Sequence, residues 1–241
     1  MRRWIKSGLE NACRLLLAGT FLGAAALGVS ASDSSDPAGV YRCGSAGSEC
    51  GEGPRVALTF DDGPHPVFTP QILDLLAENG IHATFFVVGE NVRAHPELLE
   101  RTLKEGHEIG NHTYDHAYLK GKARDTQERE IDLCDYEIFD HSEYCAHLLR
   151  PPGGLFDDNV VEICSERGYK IIIWSIDTRD WTGVGADTIV RTVMDGLEDG
   201  AIILMHDFNR TDSHTVEALR ALIPRIRDAG YEFVTVSEIL E

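Results

Sequence analysis

The sequence predicts an α/β fold, a distorted (β/α) barrel of about seven parallel strands. Three observations carry that expectation. From Arg55 onward, short apolar runs alternate with amphipathic stretches of helical period. The runs are apolar throughout, as in Ile171-Ile-Ile-Trp174, which suits a parallel sheet covered on both faces. Polar clusters fall just after the runs, where the strand ends of a parallel barrel converge on one mouth.

The predicted strands are 56–60, 83–88, 108–111, a weaker run just before Arg150, 169–176, 201–205 and 232–236. Pro70 and Pro96 fall in the first turns of the intervening helices, where a missing N–H is harmless. Gly80, Gly106, Gly168, Gly200 and Gly230 follow polar pairs and read as left-handed caps that end helices. Residues 120–147 are charged and cysteine-bearing, and read as a helix with an irregular insertion. No internal repeat is present.

The N-terminus reads differently. Arg2, Arg3 and Lys6 form a basic start, Leu15 to Val29 an apolar core, and Val29-Ser30-Ala31 a small-residue cleavage site, together a secretory leader over residues 1–31. The apolar run is short and rich in Ala and Gly, so a retained anchor is the lesser alternative. Residues 32–54 form a linker or arm, and 55–241 a single domain. The expected location is extracellular or in the cell envelope, with no membrane contact beyond such an anchor. Six cysteines are present, and Cys13 leaves with the leader. Export favours disulfides, with Cys43 paired to Cys50, and Cys134 paired to Cys145 or one of these to Cys164. No Cys-x-x-Cys occurs, which argues against a cysteine zinc site.

Twenty-two Lys and Arg stand against 40 Asp and Glu, a net charge of −18. Loss of the leader, with four basic groups and one acidic, makes the remainder more acidic still. Such a field repels nucleic acid and other polyanions, and a neutral or cationic substrate fits better.

The most informative stretches are Thr59-Phe60-Asp61-Asp62-Gly63 and His112-Thr113-Tyr114-Asp115-His116. Adjacent side chains of a strand point to opposite faces, so two carboxylates share one mouth only if the chain turns, and Gly63-Pro64 supplies the turn. Two imidazoles four residues apart can reach one ion if a helical turn follows the strand. One carboxylate with two imidazoles leaves a position open for water, the arrangement of a hydrolytic metal centre. The other carboxylate is then free to act as a base. Arg150-Pro151-Pro152-Gly153, Asp177-Thr178-Arg179-Asp180-Trp181 and Leu204-Met205-His206 complete the mouth. Trp174 reads as core, Trp181 as groove, and Asp177 as support for the loop presenting Asp180. His65, His82, His95, His107, His141, His147 and His214 read as surface or capping residues.

On these motifs, all five in order, residues 55–241 resemble the polysaccharide deacetylase family, the NodB-homology carbohydrate esterases of family 4. The resemblance implies a metal-dependent hydrolase that removes N-acetyl groups from glycans containing N-acetylglucosamine, such as chitin, chitooligosaccharide or peptidoglycan. It implies that Asp61 is the base, Asp62, His112 and His116 are the metal ligands, and His206 is the acid. Arg150 would orient the base and Asp180 would hold His206. Pro152, Gly153, Trp181 and Leu204 would contact substrate. The ligand set suits Zn²⁺, and also Co²⁺ or Ni²⁺, because it discriminates weakly among them. The implied partner is an acetylated polysaccharide, handled by a monomer. O-acetyl xylan esterase activity is the nearest alternative, and a glycan-binding module without catalysis is the alternative of another class. One departure stands out. Family members often carry an aromatic after the paired prolines, where this chain has Gly153-Gly154, so that wall of the groove is bare.

Overall fold

The computed structural model describes residues 39–41, 53–208 and 213–241. The predicted leader, the Cys43–Cys50 loop and most of the arm lie outside them. No helix among the described residues is long and apolar enough to cross a membrane.

The strands are β1 (Val40–Tyr41), β2 (Arg55–Asp61), β3 (Thr84–Val87), β4 (Glu108–Asn111), β5 (Leu148–Leu149), β6 (Lys170–Ile172), β7 (Ile176–Asp177), β8 (Ala201–His206) and β9 (Glu232–Phe233). They form one sheet in the order β1-β6-β5-β4-β3-β2-β8-β7, and β9 adds beside β2. Every pairing is parallel. The sheet curls into an incomplete barrel, with β1 and β7 at its ends. The predicted fold class holds.

Helices α1 (Phe68–Asn79), α2 (Gly89–Ala94), α3 (Pro96–Lys104), α4 (Arg124–Ser142), α5 (Asp158–Arg167), α6 (Ala186–Gly196), α7 (Thr215–Asp228) and α8 (Val236–Ile239) supply the rest. Central β2 shows how the two layers divide. Val56, Leu58 and Phe60 join a core with Ile72 and Leu76 of α1 and Leu219 and Leu222 of α7. Ala57 belongs to a separate interior cluster with Phe86, Leu148, Ile172, Ile202 and the Val236–Ile239 plug. By the two-residue period, Thr59 and Asp61 continue the interior face of Ala57 upward to the mouth. Burial is therefore imposed on Asp61 by the same alternation that builds the core.

Several expectations change. The run 169–176 is two strands, broken at Ile173-Trp174-Ser175, where the chain steps from β6, next to terminal β1, to β7 at the other end of the sheet order. Residues 124–142 form one continuous helix rather than one with an insertion. Cys134 and Cys164 are free and buried among apolar side chains, so neither pairs with Cys145. Cys145 is disulfide-bonded. His107 is buried at 5 % exposure, where its Nδ1 accepts from Ala83 N–H, and burial, with the His82 charge, lowers its pKa to about 4. The predicted caps Gly80, Gly106, Gly168 and Gly230 follow helix ends with positive φ, whereas Gly200, also left-handed, lies in the turn before β8 and caps no helix.

Gly110 in β4 is a close-approach glycine. A Cβ there would lie 2.4 Å from Phe86 Cδ1, and that ring in turn lies 4.0 Å beneath the Arg150 guanidinium. Gly110→Ala should therefore overpack the interior and destabilise the fold by about 1–3 kcal/mol. Urea unfolding should show a lower midpoint at unchanged slope. An unshifted midpoint would mean that Phe86 has room to move aside.

Candidate metal and acid–base site

All five polar clusters emerge at the carboxyl end of the sheet. Asp61 ends β2 and His206 ends β8, and the two are register partners on neighbouring strands. His112 follows β4, Arg150 follows β5, and Asp180 follows β7.

Arg150 is fully buried. Its Nη1 donates to Thr59 Oγ1 and Asp61 Oδ1, each at 2.7 Å, and its face lies over the Phe86 ring. Its Nε and Nη2 donate to the carbonyls of Ile172 and Ile173, both at 3.4 Å. A guanidinium with no water contact needs a carboxylate, and Asp61, at 3 % exposure, supplies the charge.

Asp62 turns the other way because its backbone is left-handed, with φ of 77°. That conformation is sparsely populated for a residue with a side chain, so it must be imposed. Asn91 Nδ2 donates to Asp62 O at 2.7 Å, and Val88 N–H donates to Gly63 O at 2.9 Å, which pins the turn. Gly63 is required by proximity, since a Cβ there would lie 2.1 Å from Asp207 Oδ2.

The histidine pair is not carried on a helical turn, as its spacing suggested. An irregular loop with left-handed Thr113 (φ 68°) and His116 (φ 59°) brings the rings together. Asn111 fixes its start. The Asn111 Oδ1 accepts from Thr113 N–H at 2.8 Å, and its Nδ2 donates to Ile131 O and Asp135 Oδ1 on α4. His112 Nδ1 lies 2.6 Å from Arg150 O. A carbonyl only accepts, so the proton sits on Nδ1 and the Nε2 lone pair faces the site.

Asp62 Oδ1 lies 3.3 Å from both His112 Nε2 and His116 Nε2. That oxygen is buried and takes no hydrogen bond within the protein among the described residues. Acceptor faces acceptor, which leaves room for one cation and a reason for it. The three ligand atoms lie within 4.8 Å of one another, so the residues fit a divalent ion. Electrostatics agree. Burial alone would raise the Asp62 pKa, yet His112, His206 and His116 outweigh it and hold the carboxyl below its usual value. Burial likewise opposes charge on His112, but Asp61 and Asp62 overcome it and raise its pKa. A positive charge between these groups, carried by a proton or by a metal ion, is stabilised.

His206 is organised by Asp180, which is 1 % exposed. Asp180 Oδ1 accepts from His206 Nδ1 at 2.7 Å, while Oδ2 accepts from His206 N–H at 2.9 Å and Thr215 Oγ1 at 2.7 Å. Left-handed Arg179 presents it, held by its N–H on Asp177 Oδ1. With Nδ1 engaged, Nε2 is the ring position that can give up a proton. Gly153 and Trp181 are exposed at the mouth, whereas Pro152 and Leu204 are buried.

Thr59, Asn91, Asn111, Thr215 and Asp207 were not foreseen. Polar residues inside apolar runs (Thr59, Asn111) are a usable signal; Thr215 is distant in sequence and carries none. Asp207 is buried, accepts from Thr69 Oγ1 at 2.6 Å, and is pushed up to about 7, chiefly by burial.

The chain matches the polysaccharide deacetylase family over residues 48–172. A peptidoglycan-N-acetylglucosamine deacetylase of Bacillus cereus is 43 % identical over 187 residues, 77 % of this chain and 87 % of the relative. This chain belongs to the polysaccharide deacetylase family. The crystal structure of the Bc1960 peptidoglycan N-acetylglucosamine deacetylase superposes with a TM-score of 0.75 at 36 % identity, covering 78 % of this chain and 91 % of that one. A family 4 acetyl xylan esterase from Clostridium thermocellum, solved with a cobalt ion, superposes with a TM-score of 0.71 at 32 % identity, covering 76 % of this chain and 89 % of the esterase. Like its relatives, this deacetylase-family chain is a hydrolase on an incomplete α/β barrel.

Burial works against the His206 charge, but the hydrogen bond and charge of Asp180, with Asp61 and Asp62, raise its pKa to about 9. The imidazolium therefore stabilises the fold fully below about pH 6.5, and that contribution is lost as pH rises through about 9. In protein stripped of divalent ions, NMR should place the His206 titration near 9, and Asp180→Asn should lower it. The same midpoint in wild type and variant would show that Asp180 does not hold the charge.

Proposed function

We propose that the chain is a divalent-metal-dependent N-deacetylase of glycans containing N-acetylglucosamine, with peptidoglycan or chitin-like chains as substrate. The observation that carries this is the Asp180–His206 pair beside the Asp62/His112/His116 set. An amide nitrogen leaves poorly unless protonated, and a carboxylate-held imidazole is built to supply that proton.

Asp62, His112 and His116 would hold Zn²⁺, with Co²⁺ or Ni²⁺ as workable substitutes. The bound ion would supply Lewis acidity, acidifying water and polarising the acyl carbonyl. Asp61, fixed by Arg150 with Oδ2 turned toward His112, takes the proton of the attacking water. The Gly153 N–H, on the exposed turn after Pro152, is assigned to the oxyanion of the tetrahedral intermediate. His206 Nε2 protonates the leaving nitrogen, and Asp180 stabilises the charge until it does. Trp181 shapes the sugar groove, with Pro152 and Leu204 beneath it.

The basic start and apolar run of residues 1–31 support export, and the protein would act as a monomer outside the cell or in its envelope. The likeness to an acetyl xylan esterase favours one competing reading, cleavage of O-acetyl esters by the same groups. Acetate release from chitooligosaccharide, peptidoglycan and acetyl xylan separates the two. Release is expected from the N-acetylated glycans, lost on chelation and restored by Zn²⁺ or Co²⁺. Release from acetyl xylan alone would make the chain an esterase, and full activity without metal would remove the metal assignment.

A further inference from the structure

Among the described residues, the large hydrophobic side chains left exposed are Val67, Tyr118, Leu155, Trp181 and Phe208. Each lies in a segment that follows a strand at its carboxyl end, so all five surround the mouth. Scattered exposed apolar groups need no explanation, but their confinement to one rim does.

Tyr118 differs from the other four in its setting. Its side chain is 54 % exposed, yet its ring is backed by bare backbone. A Cβ at Gly153 would lie 2.8 Å from Tyr118 Cε1. Gly153 has φ of 65°, so a side chain there would be both strained and blocked by the ring. The ring also meets His116 edge-on, with centroids 5.8 Å apart at 75°. An aromatic ring is thus set between the Gly153 backbone and His116, with its remaining surface open to solvent. The wall that Gly153-Gly154 leaves bare in the sequence is filled from the loop after β4 instead.

We propose that Tyr118 is the sugar-stacking platform on this side of the mouth and a determinant of substrate specificity. The inference rests on the glycan deacetylase reading above. A pyranose ring has an apolar C–H face and polar hydroxyl edges, and a fixed aromatic ring suits the face while water keeps the edges. Backing by the Gly153 backbone limits the ordering lost on binding. Stacking beside His116 sets the sugar so that its acetamide reaches the metal site.

The test compares Tyr118→Ala, Tyr118→Phe and Tyr118→Trp with wild type on a β-1,4-linked N-acetylglucosamine tetramer and on 4-nitrophenyl acetate, which has no sugar ring. Loss of one well-made aromatic contact should raise KM for the tetramer about tenfold in the alanine variant, with kcat much less affected. The ratio of tetramer to ester efficiency should fall by a similar factor, and Phe and Trp should restore it. An alanine variant with wild-type KM overturns the proposal. Equal loss on tetramer and ester, or reduced metal content, would assign Tyr118 to supporting His116 and overturn it as well. Calorimetric binding of the same tetramer reads the platform independently of turnover. If wild type releases no acetate but Tyr118→Ala still weakens tetramer binding, the deacetylase reading fails and the platform stands.

Discussion

A fully buried guanidinium organises this mouth. Arg150 has no water to solvate it, so the fold must bring a carboxylate, and β2 delivers Asp61 on the interior face. Removing one partner of such a pair strands the other charge, typically at about 3–5 kcal/mol. The pair fixes more than itself. Arg150 O receives the His112 Nδ1 proton, which turns the His112 lone pair toward Asp62. One residue therefore sets the orientation of Asp61 and the tautomer of His112. Gly110 and Phe86 beneath it make the arrangement a property of the packed interior rather than of mobile loops.

Adjacent carboxylates acquire different orientations through backbone geometry. Asp61 ends a strand and points along its alternation, while Asp62 is left-handed and breaks it. Thr113, His116 and Arg179 are also left-handed, and all four lie within the site or the loops that present it. Side-chain to backbone bonds hold three of them: Asn91 to Asp62, Asn111 to Thr113 and Asp177 to Arg179. Strain of this kind persists only where the surroundings over-determine it, and here the surroundings are an amide or carboxylate bonded to the backbone of the strained residue.

The barrel was legible in the sequence because continuous apolar strands and glycine-capped helices are local signals that tertiary packing does not overturn. The five polar clusters were legible because they occupy strand ends. What escaped notice depended on path or distance. Nothing in Ile171-Ile-Ile-Trp174-Ser175-Ile176 marks the step between strands, since apolar residues serve a strand and a crossing equally well. The His112–His116 spacing fitted a helical turn, yet a loop with two left-handed residues meets the same demand. Thr215 reaches Asp180 from 35 residues away, and Tyr118 covers Gly153 from another loop, so neither contact has a local signature. The cysteines misled because export favours pairing, whereas Cys134 and Cys164 serve as small apolar residues in two separate cores.

In the proposed mechanism, Arg150 and the turn at Asp62 divide two neighbouring carboxylates into a base and a ligand. Metal content and turnover of Asp61→Asn and Asp62→Ala, measured side by side, test it directly. Asparagine keeps an oxygen for Arg150 but cannot take a proton, so Asp61→Asn should bind metal normally and lose roughly 10²–10⁴-fold in kcat. Asp62→Ala should lose the metal as well as the activity. Equal loss of metal from both variants would contradict the division.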